Sequence, residues 1–204
     1  MRLGVMKNLM ERDSLYAITV EKLRNAGAEI VEYYPENDIY LEGLLTLMNL
    51  DMKKDLETYI THQVKNKNMV NVKTLQDVID FNQKDSLVRI PYGQGRFDGI
   101  IADTTSYETL AHIKKDLMLS GRAFFEILEK ENLDAVLSLN SDHAAFAAVA
   151  EYPALTIPMG YKLNGQPAGL TFIGKPYSEI LLLQIGKSFE DLTKSRKMPQ
   201  GYVD

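Results

Sequence analysis

Three features of the 204-residue sequence predict an α/β fold. The chain opens on an apolar strand, an amphipathic helix and a second strand. It carries a short apolar segment at 133–139, and it closes on a hairpin signal followed by a helix. Strand–helix–strand is the unit that builds parallel sheets, whereas a tight turn joins antiparallel neighbours.

Each element follows from local pattern. "RLGVM" at 2–6 reads as a buried strand with no lead-in, so a beginning is expected to be missing. In 12–27, Leu15, Ile18, Leu23, Ala26 and the Lys22 stem share one helical side, Asp13 is placed as N-cap and Gly27 as the stop. "AEIVEYY" alternates as a strand up to Pro35. From 39 to 64, Leu41, Leu44, Leu45, Met48, Met52, Leu56, Tyr59 and Ile60 keep helical spacing, with Lys53, Lys54, Asp55 and Glu57 outside the stripe.

Thr74 with Asp77 forms an acidic capping box. The proline and glycines of "RIPYGQGRFDG", 89–99, predict an irregular connection. Thr105 with Glu108 predicts a second box, opening a helix that carries Leu110, Ile113, Leu117, Phe124 and Leu128 to Asn132. "LDAVLSL", 133–139, suits a covered central strand. The alanines at 144, 145, 147, 148 and 150 make a helix too thin to fill space unless a neighbour lies close. A strand at 154–160, a primed turn at Asn164–Gly165 and a partner strand at 169–173 follow. The last helix, 178–193, is expected to lay Ile180, Leu181, Leu183, Gln184 and Ile185 over the sheet.

Composition narrows the function. With 45% hydrophobic residues the chain can bury a core, and 1–204 reads as a single α/β domain. A net charge of -5 argues against nucleic acid as a partner. The absence of cysteine excludes disulfides and, with no leader pattern after Met1, makes a reducing cytoplasmic setting the expectation. No apolar run approaches the ~20 residues of a membrane span. Three histidines, His62, His112 and His143, without cysteine do not suggest a structural zinc, and no metal or cofactor is expected.

The catalytic motifs are missing. The sequence has no G-x-S-x-G elbow, S-x-x-K pair, H-E-x-x-H helix or phosphate loop, and "GQGRFDG" lacks the strand before and helix after that a dinucleotide loop needs. His62 and His112 fall on predicted helices and read as surface residues. The polar cluster "NSDHAA" remains. Ser141, Asp142 and His143 are the residue types of a hydrolytic triad, but helical neighbours point about 100° apart and cannot relay a proton among themselves. Ser141 or Asp142 could instead cap a helix, and Asn140, Ser141, Asp142 and His143, at the carboxyl end of a strand, could line a pocket. A separate hydrolase acting through His143 is the weakest alternative.

The stretch "LDAVLSLN…AAVAEYPALTIPMGYKLNGQPAGLTFIGKPYSEILLLQIGKSFE" closely resembles the carboxyl-terminal part of the amidase signature family, with "RLGVM", "AGAEIVE", "DMKKDLETYI" and "VKTLQDVIDFN" resembling earlier elements in order. The resemblance implies a three-layer α/β/α fold with a mixed sheet, incomplete here. It also implies amide hydrolysis by a Ser, cis-Ser, Lys triad carried by an amino-terminal half that this sequence does not contain, so no catalytic residue is assigned. Two departures stand out: Glu151 takes the place of the family's glycine before Tyr152, and "YGQGRF" replaces a Phe-Gly-Gln-Glu-like stretch. Asn140 matches a pocket wall. The resemblance implies a chain inactive alone, whose partner is the missing half and whose substrate, in the complete enzyme, is a small amide. The rival expectation is a binding or assembly module that recruits a second copy, or another protein, through an exposed sheet edge and apolar face.

Overall fold

The computed structural model describes residues 1–36 and 41–198. The first residues of the helix expected from 39, Ile39 and Tyr40, lie outside them. In chain order the elements are β1 (Arg2–Met6), α1 (Lys7–Arg12), α2 (Ser14–Asn25), β2 (Glu29–Tyr33), α3 (Leu44–Gln63), α4 (Leu75–Gln83), α5 (Ser86–Arg89), α6 (Gly95–Ala102), α7 (Tyr107–Phe124), α8 (Ile127–Lys130), β3 (Ala135–Leu139), α9 (Ala144–Ala150), β4 (Ala154–Tyr161), β5 (Pro167–Ile173) and α10 (Glu179–Thr193). They gather into two compact units, Met1–Tyr40 with Met118–Asp204, and Leu41–Leu117.

The first unit is built on a five-stranded sheet of order β2-β1-β3-β5-β4. β1 runs parallel to both β2 and β3, while β5 is antiparallel to β3 and to β4, so the sheet is mixed. The central strand β3 is buried at every residue, as its unbroken apolar run requires. Arg2 and Asp134 clamp the start of β1 to β3, since Arg2 N donates to the Asp134 carboxylate at 2.7 Å and Asp134 N donates to Arg2 O at 2.8 Å.

Side-chain alternation assigns the two layers. Leu155 and Ile157 of β4 lie against Gly186 of α10, Phe172 of β5 meets Phe189 of α10, and Glu32 of β2 pairs with Arg24 of α2. The opposite face meets α7, α8 and α9: Tyr33 lies beside Phe124 and Ile127, and Ser138 reaches His143. Tyr16 of α2 is fully buried and donates its hydroxyl to Leu137 O at 3.0 Å, anchoring that layer to the middle strand. Leu3, Leu137, Leu170 and Phe172 are fully buried in the core, and each such side chain contributes about 1.5–3 kcal/mol.

α9 packs closely, as its alanines demand. A Cβ built on Gly121 of α7 would sit 2.8 Å from Ala150 N and 2.9 Å from Val149 Cγ2. The hairpin between β4 and β5 departs from the primed turn. Gly165 N donates to Lys162 O at 2.8 Å, Lys162 N to Gln166 O at 2.8 Å, and Gly165 carries positive φ while Asn164 does not. That is a three-residue loop ending in a left-handed glycine, which takes the positive φ without steric cost.

The buried face of one helix and the length of another also differ from expectation. In α10 the buried residues are Leu182, Ile185, Gly186 and Phe189, while Ile180 and Leu183 are exposed. α7 stops at Phe124 and the chain turns before α8, so the helix does not run unbroken to Asn132.

The second unit contains α3 to α6 and the first turns of α7. The Thr74–Asp77 capping box is present in full. α3 buries Leu50, whereas Leu45, Met48, Met52 and Tyr59 of the expected stripe are exposed. Residues 95–99, expected within an irregular connection, begin α6 instead. The start of α7 is capped one residue later than Thr105 implies, because Thr109 N donates to the Ser106 hydroxyl at 3.1 Å.

Candidate functional site

The polar residues Asn140 to His143 lie at the carboxyl end of β3, between the strand and α9. Asn140 takes left-handed φ (49°), a conformation asparagine tolerates better than most residues. Its backbone and its side chain are both tied to β5: its N–H donates to Gly169 O at 2.9 Å, and its Oδ1 accepts from Gly169 N at 2.8 Å. Its carbonyl accepts from the Thr171 hydroxyl at 2.5 Å, and Thr171 Oγ1 is in turn 2.7 Å from Thr156 Oγ1 on β4. Asn140 thus stands at the head of a ladder that crosses three strands.

His143 turns inward. Its Nδ1 is 2.7 Å from Ser138 Oγ, its ring stacks on Phe124 with centroids 5.4 Å apart, and Phe146 meets it edge-on at 5.2 Å. Burial holds its pKa below the ordinary value, against the pull of the Asp142 carboxylate and with the help of the Arg12 guanidinium. Asp142 itself pairs with Arg12 at the end of α1. Ser141 and Asp142, considered as helix caps, make no capping bond to α9, whose N-cap position falls on His143.

The structure therefore brings Asp142 and His143 near each other but hands His143 a different serine, Ser138, which is fully buried. A nucleophile must reach a substrate carbonyl and face preorganised oxyanion donors. Ser138 is closed off from any such carbonyl by its burial, and its bond to His143 orders the turn. Sequence reasoning missed Ser138, Thr156, Thr171 and Arg12. Ser138 could have been found, because a lone hydroxyl in the apolar run "LDAVLSL" must have a partner within reach.

Beyond the ladder the sheet is open. Ala154, Thr156 and Pro158 are exposed on the face of β4 turned away from α10, and Gly169 beside them carries no side chain. His62 and His112 are exposed on α3 and α7. Among the described residues, no three His, Asp or Glu side chains gather into a metal-holding group, and no helix is long and apolar enough to cross a membrane.

Fold and site together define a layered α/β protein with a mixed sheet, whose polar groups collect where the middle strand ends. No family model matches the sequence. An Arabidopsis thaliana protein named as a probable amidase is 28% identical over 209 residues, covering 98% of this chain and 39% of the relative. The solved structure of an amidase family protein from Bacillus anthracis superposes with a TM-score of 0.84 at 28% identity, covering 98% of this chain and 39% of that one. The peptide amidase of Stenotrophomonas maltophilia gives 0.79 at 26% identity, over 99% and 45%. The chain is similar to these amidases along nearly its entire length, and it spans about two-fifths of theirs.

Proposed function

We propose that the chain is the carboxyl-terminal part of an amidase-family hydrolase, a scaffold that cleaves no amide by itself. The observation that carries this reading is the asymmetry of coverage: 98% of this chain is matched, but only 39% of the amidase structure it resembles. In the complete enzyme the family's Ser, cis-Ser, Lys triad would come from the amino-terminal portion and act on a small amide. This chain would supply the sheet against which that portion packs and, through Asn140, Ser141, Asp142 and His143, part of the pocket wall. The chemistry of the described site agrees, since the serine of its Ser138–His143 pair is fully buried.

The test is ammonia release from primary amides by the purified chain. None above the buffer rate is expected, and turnover that persists through successive purification steps would overturn the proposal.

A second reading has an observation in its favour. β2 and β4 are edge strands of the sheet, and β4 carries exposed Ala154, Thr156 and Pro158. Such an edge can pair with another chain, including a second copy. Light scattering across a concentration series separates the two, because a strict monomer at every concentration is incompatible with self-assembly.

A further inference from the structure

We infer that Asn164 and Gly165 form a self-modification site, where the loop between β4 and β5 closes on itself, releases ammonia and ends as an isoaspartyl linkage. Of the asparagines in the sequence, Asn164 alone is followed by glycine. A glycine in that place leaves the backbone nitrogen with no Cβ beside it, so the asparagine side chain can approach. The inference is independent of the amidase reading, because the reaction needs no substrate and no residue of the polar cluster at Asn140 to His143.

The loop is open to solvent. Leu163, Asn164, Gly165 and Gln166 are all exposed, and a Cβ on Gly165 would meet nothing within 4 Å, so hydroxide and water reach the peptide. The asparagine side chain is also oriented. Gln166 N donates to Asn164 Oδ1 at 3.1 Å, and since a backbone N–H can only donate, the atom facing it is the oxygen. That bond curls the side chain back over the Gly165 peptide, which keeps Asn164 Cγ beside Gly165 N. It also sets a donor on the oxygen where negative charge develops during attack. One contact opposes the reaction: Gly165 N donates to Lys162 O at 2.8 Å, and this bond must open before the nitrogen can lose its proton. It lies at an exposed hairpin tip, where local opening costs least.

The step balances within the chain and water. Gly165 N gives its proton to hydroxide and attacks Asn164 Cγ. The new N–C bond replaces the bond from Cγ to Nδ2, and the amide nitrogen leaves as ammonia with a proton from water, which restores the hydroxide. A five-membered succinimide remains. Water then opens it at the Asn164 backbone carbonyl, giving isoaspartate with the main chain routed through Cβ and Cγ, or at Cγ, giving aspartate. Nothing is oxidised or reduced. The succinimide nitrogen carries no hydrogen, so Lys162 O loses its Gly165 donor, and isoaspartate lengthens a tight loop by one backbone carbon. Lys162 Nζ meets Asp13 at 3.0 Å, so the altered loop is the one that ties the hairpin to the start of α2.

The purified 204-residue chain is held at pH 8 and 37 °C with no amide added, and the tryptic peptide beginning at Leu163 is weighed over time beside a synthetic peptide of residues 160–169. The tryptic peptide is expected to gain one mass unit while the chain releases no more than one equivalent of ammonia. Isoaspartyl methyltransferase with a labelled methyl donor should label the aged chain and not the fresh one, and incubation at pH 6 should slow every change. Asn164→Ser should show neither the mass gain nor the ammonia; if that variant fails to fold, the time course of the unaltered chain still decides. An unchanged mass once the synthetic peptide has converted fully, a gain that falls first on another asparagine, or aspartate with no isoaspartate overturns the inference. Ammonia beyond one equivalent that depends on an added amide counts against the proposed function alone.

Discussion

Ser138 Oγ and His143 Nδ1 lie 2.7 Å apart, with the serine fully buried on the middle strand and the histidine ring against Phe124 and Phe146. The pair has the composition of a catalytic couple and the surroundings of a structural one. Because burial, first of all, lowers the His143 pKa, the folded state binds its proton less readily than the unfolded state. The stability this contributes is complete above the ordinary value of 6.5 and is lost as the pH falls from there towards the folded value. Urea midpoints are expected to fall between pH 7.5 and pH 5.5, by more than in a His143→Gln variant. The His143 ring resonance titrating at or above 6.5 would contradict this.

Asp13 shows the opposite kind of group. Its carboxylate caps α2 by accepting from Tyr16 N at 3.0 Å and meets Lys162 Nζ at 3.0 Å, so it ties the helix start to the β4–β5 hairpin. Burial pushes its pKa up, but the Tyr16 N–H and the Lys162 ammonium outweigh burial and leave it below the ordinary 3.8. Its contribution is present above 3.8 and disappears as the pH falls through the folded value. Asp13→Ala should cost about 1–2 kcal/mol at pH 7, the worth of a lost N-cap with a partly buried partner. The difference from the unaltered chain should shrink at pH 3, and denaturant unfolding at the two pH values measures both.

The elements and their order were legible because strands and helices leave periods that survive in one sequence. Phase was not. In α10 the run Ile180 to Leu183 is apolar at four successive positions, so any rotation finds apolar residues inward, and the buried set was decided by where Leu155, Ile157 and Phe172 lie. α3 shows the same ambiguity, with Leu50 rather than Met48 or Met52 turned inward. Asn140 to His143 were visible as a polar break after a strand. Their ladder was not, because Thr156 and Thr171 meet Asn140 only through the strand order β3-β5-β4.

Tyr16→Phe tests the anchor of α2. The hydroxyl donates to Leu137 O at 3.0 Å in a fully buried position, and removing it leaves that carbonyl with one partner fewer in a place water does not reach. A loss of about 1–2 kcal/mol in unfolding free energy is expected, with the sheet intact by circular dichroism. A neutral result would mean that the bond contributes nothing beyond packing of the ring.

Two glycines in helices should respond to alanine with opposite signs. Gly99 of α6 is exposed, and a Cβ there meets nothing within 4 Å, so Gly99→Ala relieves the backbone entropy that glycine loses in a helix. A gain of about 0.5–1 kcal/mol is expected. At Gly121 the same methyl would press on Ala150 N at 2.8 Å and on Val149 Cγ2 at 2.9 Å. Backbone cannot rotate aside as a flexible side chain can, so α7 and α9 must separate, and a loss of about 1–3 kcal/mol is expected. Thermal or urea unfolding of the two variants side by side reads the sign directly. If Gly121→Ala were as stable as the unaltered chain, the close approach of α7 and α9 in the first unit would be wrong, and with it the reason α9 carries alanines at its contact face.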